Sequence, residues 1–117
     1  YDVLVLKKSS IETKIFASVL GKMCDSVKTA SSLDDCQMQM TSNYHKVLLF
    51  DKEMIQSTTH DFAEWIHSLS SKHGFKTHTI MFTDSKELSP EDLASFDAVL
   101  PNQISKNELE LLIHKFI

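Results

Sequence analysis

The chain has 117 residues, 42% apolar and 24% charged, enough for one hydrophobic core and too few for two. Its formal net charge is −4, its lysines are scattered and it contains no arginine, which excludes the basic stripe of a nucleic-acid binder. No apolar run approaches the roughly 20 residues of a membrane span, and the N-terminus lacks a signal-peptide layout, so a soluble domain is expected, read as cytoplasmic, with a parent protein that could still be anchored in the inner membrane.

Taken in chain order, Val3 to Leu6 is a short, continuously apolar run. Strands covered on both faces of a parallel sheet read this way, because neither face can alternate to polar. Lys7 and Lys8 follow. Ser9 with Glu12 then matches a capping box, in which hydroxyl and carboxylate each satisfy an orphan N–H. Phe16, Val19, Leu20 and Met23 repeat at helical spacing behind it. Ser26 to Ala30 suits an edge strand, and Leu33 to Met40 a second helix starting after Ser31 or Ser32.

Val47 to Phe50 is the next strongly apolar run, and it delivers the chain to Asp51. Phe62, Trp65, Ile66 and Leu69 then predict a third helix, closed at Gly74 by a left-handed cap. Ile80 to Phe82 predicts a fourth strand ending at Thr83 and Asp84. Ser89-Pro90-Glu91-Asp92 opens a helix with room for two turns at most. Ala98 to Leu100 leads to Asn102, and Ser105 with Glu108 caps a last helix carrying Leu109, Leu112, Ile113 and Phe116.

Strict strand–helix alternation implies right-handed crossovers and helices on both faces of a parallel sheet. Five strands in this length point to a flavodoxin-like doubly wound α/β fold of order 2-1-3-4-5, with a shortened fourth helix. Ligands of such folds sit at the carboxyl ends of the strands. The residues there are Lys7 and Lys8, Asp51, Thr83 and Asp84, and Asn102.

The remaining chemistry-bearing residues give weaker signals. Cys24 and Cys36 lie twelve positions apart in no zinc-like arrangement and read as reduced, buried thiols. His60 and His67 can share a helix face but lack a third ligand, so no metal site is expected. Gly21 and Gly74 are the only glycines, which rules out GxGxxG and P-loop motifs. No Ser-His-Asp or Cys-His constellation stands out. Trp65 reads as core, whereas Met38 and Met40, near a helix edge, fit either the core or a binding surface.

In these positions the chain resembles the receiver domains of two-component response regulators, over essentially its whole length. Lys46-Val-Leu-Leu-Phe-Asp51-Lys-Glu-Met54 is similar to the segment bearing the phospho-acceptor aspartate. Ile80-Met-Phe-Thr83 is similar to the strand end bearing the switch hydroxyl, and Val99-Leu-Pro-Asn-Gln-Ile-Ser-Lys-Asn-Glu-Leu109 to the last strand–helix junction. The departures are pointed. The family's acidic pair after the first strand corresponds to Lys7 and Lys8, its fifth-strand lysine to Asn102, and the proline after that lysine to Gln103. Ile55 stands for the proline after the methionine, Asp84 for the small residue after the hydroxyl, and Val99 for the switch aromatic. Only Asp51 and Thr83 keep their identities.

In the family, carboxylates hold the Mg²⁺ that neutralises the transferred phosphoryl group. Ammonium groups offer a hard cation no ligands, and each repels it by roughly 4 kcal/mol at 4 Å under an effective dielectric near 20. The resemblance with these substitutions therefore implies a pseudo-receiver without Mg²⁺ or other cofactor, no enzyme in itself. In it Lys7 or Lys8 pairs with Asp51, Asp51 is a vestigial acceptor, and Asp84 lies in the pocket. The expected partners are protein domains: a histidine kinase core, another receiver or a phosphotransfer domain. The face of the fourth helix, fifth strand and fifth helix is expected to be rebuilt. Opening at Tyr1 without Met, the chain reads as one domain, residues 1–117, cut from a longer protein such as a hybrid sensor histidine kinase. Two alternatives stand beside this: an atypical receiver phosphorylated on Asp51, and a domain unrelated to signalling in which Lys7, Lys8 and Asp51 are merely solvated.

Overall fold

The computed structural model describes residues 2–55, 58–84, 90–102 and 104–116, without the side chains of 91–93. Its elements are β1 (Val3–Leu6), α1 (Ser10–Leu20), β2 (Val27–Thr29), α2 (Leu33–Ser42), β3 (Val47–Asp51), α3 (Thr59–His73), β4 (His78–Phe82), α4 (Pro90–Ser95), β5 (Ala98–Leu100) and α5 (Lys106–His114). The strands form one parallel sheet in the order β2-β1-β3-β4-β5, the flavodoxin-like order expected.

Side chains alternate across a strand, and here both faces are apolar. Leu4, Leu6, Leu48, Phe50 and Met81 pack under α2 and α3 with Cys36, Met40, Phe62, Ile66 and Leu69. Val3, Val5, Val47, Leu49, Ile80 and Phe82 pack under α1 and α5 with Phe16, Leu20, Leu109 and Ile113. That is why β1 and β3 read as unbroken apolar runs. Each such side chain, fully buried, contributes about 1.5–3 kcal/mol.

The helix ends follow the sequence signals with some corrections. Ser9, Ser32, Thr58 and Ser105 each accept the backbone N–H three residues on. Gly74 adopts φ 82° at the end of α3, a conformation open to a residue without Cβ. Met23 and Phe116 lie past the ends of α1 and α5 and pack as flanking residues instead. Helix α4 is short, as expected; its cap at Ser89 falls outside the described residues. Trp65 is half-buried against Phe62, Met40 is buried and Met38 exposed. Both cysteines are free and buried, Cys24 in the loop after α1 and Cys36 in α2. No helix among the described residues is long and apolar enough to cross a membrane.

Candidate functional site

The site lies at the carboxyl ends of β1 and β3. Register pairs Leu6 with Phe50, so Lys7 comes beside Asp51. Strand parity puts both on the α1/α5 face, continuing Val3, Val5 on one strand and Val47, Leu49 on the other. Phe82 of β4 and Phe16 of α1 belong to the same face and close over them, their rings edge-to-face at 5.4 Å.

Lys7 Nζ is 2.6 Å from Asp51 Oδ1 and 3.3 Å from Glu12 Oε2. The ammonium also sits over the rings of Phe82 and Phe16, 4.3 and 4.9 Å from their centroids. The Lys7 side chain is fully buried and that of Asp51 is 7% exposed. A charge taken out of water this completely must be compensated within the protein, and two carboxylates with two aromatic faces do so. The other carboxylate oxygen of Asp51 is also engaged: Lys8 N–H donates to Oδ2 at 2.7 Å.

The two lysines thus part company. Lys7 turns inward, while the ammonium of Lys8 turns out and meets Glu53 Oε2 at 3.0 Å, with both side chains largely exposed. Of the two pairings expected with Asp51, the ammonium pairing belongs to Lys7, and Lys8 takes part through its backbone. The solvated alternative fails for Lys7 and Asp51, which are 3% and 5% exposed.

At β4 and β5 a separate group forms. Thr83 is buried and donates its N–H to Leu100 O at 2.9 Å. Asp84, exposed, accepts from the N–H and the side-chain Nδ2 of Asn102 at 3.1 and 3.2 Å. Asn102 is therefore tied to Asp84, although it shares an open cleft with Lys8, Ser9, Glu12, Asp51 and Glu53. Val99, Met54 and Ile55 pack at the edge of the α2/α3 core, and Gln103 lies outside the described residues.

Glu12 and Glu53 are the site residues that sequence reading missed. Ser9 does cap α1, and the Glu12 carboxylate, expected to reach back to the cap, meets Lys7. Glu53 stood two positions after Asp51, on a 3-10 turn (Lys52–Met54) that points its carboxylate at Lys8. A hard divalent cation asks for several converging oxygens. Here Lys7 Nζ holds the position beside Asp51 Oδ1, and among the described residues no group of three Asp, Glu, His or Cys is placed to hold a metal ion. His60 pairs instead with Glu64, at 3.1 Å on the surface of α3.

No family model matches the chain, and no curated protein sequence matches it. Solved structures match along its whole length. A CheY-like response regulator receiver domain from Methylobacillus flagellatus superposes with TM-score 0.77 at 14% identity, covering 99% of this chain and 98% of that one. The chemotaxis response regulator CheY4 of Vibrio cholerae gives 0.78 at 17% identity over the same shares. The Thermotoga maritima response regulator TrrA, solved with Mg²⁺ and beryllofluoride, gives 0.79 at 15%, again covering 99% and 98%. At these identities the likeness is one of fold, and the fold is that of receiver domains.

Proposed function

We propose, on the premise that this chain carries the receiver fold, that it is a degenerate receiver of a two-component or phosphorelay protein. In this reading it acts as a regulatory protein-interaction module in which Mg²⁺ binding and Mg²⁺-dependent phosphorylation of Asp51 are lost. The observation that carries the reading is the buried 2.6 Å contact between Lys7 Nζ and Asp51 Oδ1. A tethered monovalent cation occupies the place where a divalent one would be needed, and it supplies charge without an octahedral template. The partners are protein domains such as a histidine kinase core, another receiver or a phosphotransfer domain, with no nucleic acid and no direct membrane contact. The parent is read as a hybrid sensor histidine kinase, and this domain has no enzymatic activity of its own.

A second reading, an atypical receiver that accepts a phosphoryl group on Asp51, draws support from the open cleft where Lys8 and Asp51 meet. Incubation with a small phosphodonor and Mg²⁺, followed by intact-mass measurement, separates the two. The degenerate receiver gains no phosphoryl group. Stoichiometric gain that disappears in Asp51→Asn overturns it in favour of the second reading.

A further inference from the structure

The surroundings of Lys7 and Asp51 have the composition of a site that condenses an amine with a carboxylic acid. The amine nitrogen touches the carboxylate at 2.6 Å, so the carboxyl carbon is one bond beyond the contact. Holding the two groups together in this way removes much of the entropic cost of bringing amine and carboxyl into contact. The Lys7 side chain is fully buried under Phe16 and Phe82, a dry environment that gives released water reason to leave. Lys8 N–H, 2.7 Å from Asp51 Oδ2, is aimed where negative charge would grow during attack on that carbon. Glu12 Oε2, 3.3 Å from Nζ on a side chain 35% exposed, links the buried nitrogen to solvent and can carry protons.

We infer that Lys7 and Asp51 become joined by an intramolecular amide bond. A proton passes from the ammonium to Oδ1, leaving an amine and a carboxylic acid. The nitrogen lone pair attacks Cγ, and the carbonyl electrons move onto Oδ2, where Lys8 N–H stabilises them. Glu12 takes a proton from the nitrogen and returns it to the departing Oδ1 hydroxyl. The Nζ–Cγ bond forms, the Cγ–Oδ1 bond breaks, and one water leaves; ammonium plus carboxylate becomes amide plus water, with no oxidant or co-reactant. The product staples β1 to β3 and removes Asp51 as an acceptor. The inference goes beyond the signalling reading, which a plain ion pair serves equally well: full sequence mass overturns the amide and leaves that reading standing, whereas stoichiometric phosphorylation of Asp51 overturns both.

The test is the mass of the unfolded chain, measured before any phosphodonor is added, followed by peptide mapping. The expected result is a mass below that of the sequence by one water, with a branched peptide joining the segments around Lys7 and Asp51. Lys7→Arg should show the full mass. Glu12→Gln, altered at a partly exposed helix position and so expected to fold, should form the branched peptide about 100-fold more slowly or worse. Full sequence mass in the unaltered chain overturns the inference. Loss of water with only linear peptides, the mark of a succinimide at Asp51, overturns it too, and equal rates in Glu12→Gln overturn the role of Glu12.

Discussion

At the amino end of the sheet, Asp2 and Asp97 lean on backbone amides, whereas at the carboxyl end Asp51 leans on a buried ammonium. Asp2 Oδ2 accepts the N–H groups of Asp25 and Ser26, and Asp97 Oδ2 that of Thr79, with Lys46 and Lys76 beside them at 3.5 and 2.9 Å. Burial by itself would raise both carboxyls, but the N–H donors and lysines outweigh it and hold them below the ordinary 3.8. These partly exposed carboxylates tie loops to strand starts. Asp51 uses the same residue types, and exclusion of water turns them into a pocket closed on itself. Burial, more than charge, separates a fastening from a site.

The sharpest way to break this contrast is Lys7→Met. It leaves Asp51 buried without its ammonium and should cost about 3–5 kcal/mol, seen as a lower midpoint in urea unfolding. With the two residues held as an ion pair, combining it with Asp51→Leu should restore most of that stability, because a buried pair replaced by apolar groups is often neutral. An equal loss in the double variant would show that something other than an ion pair, such as the covalent staple, has been removed.

Acid should act on the amino end instead. His45, 1% exposed just before β3, has its imidazole pushed down to about 4 by burial. Between pH 6.5 and 4 the unfolded chain binds a proton that the folded His45 refuses, so stability falls as pH falls through this window. The loss is roughly 3 kcal/mol at the ordinary conversion. Asp2 and Asp97, with lowered folded values, contribute stability that is present above pH 3.8 and is lost on further acidification. A urea midpoint that stays flat from pH 7 to 4, or an unchanged slope in His45→Gln, would contradict this.

The smallest effect belongs to Lys8→Ala. Its ammonium and Glu53 are 70% and 59% exposed, so the pair is screened by water and salt and its loss should cost under about 1 kcal/mol. A larger cost that persists in high salt would erase the distinction between the two lysines.

Much of this molecule was legible in the chain. The apolar runs at Val3, Val47 and Ile80, the helical repeats and the capping serines gave the sheet order and placed Asp51, Thr83 and Asn102 at strand ends. The length of β4 was less legible, because His78 and Thr79 break its apolar run while pairing with Val47 and Leu48. Ser26 and Ala30 likewise read as strand yet lie outside β2, whose ladder stops at Val27 and Thr29. Parity alone could have placed Lys7 and Asp51 on the Phe82 face, a signal carried by the sequence itself.

What the sequence determined by itself is periodicity: which residues alternate, which recur every third or fourth position, and hence the layers and the strand ends. What only the tertiary structure decided is the choice among neighbours. Of two adjacent lysines, Lys7 goes in and Lys8 stays out, and Glu12 serves Lys7 as well as sitting in the capped first turn of α1. The physical reason is that local period fixes direction, whereas partner and burial depend on atoms 44 residues apart in the chain, brought within 2.6 Å only when the sheet has closed.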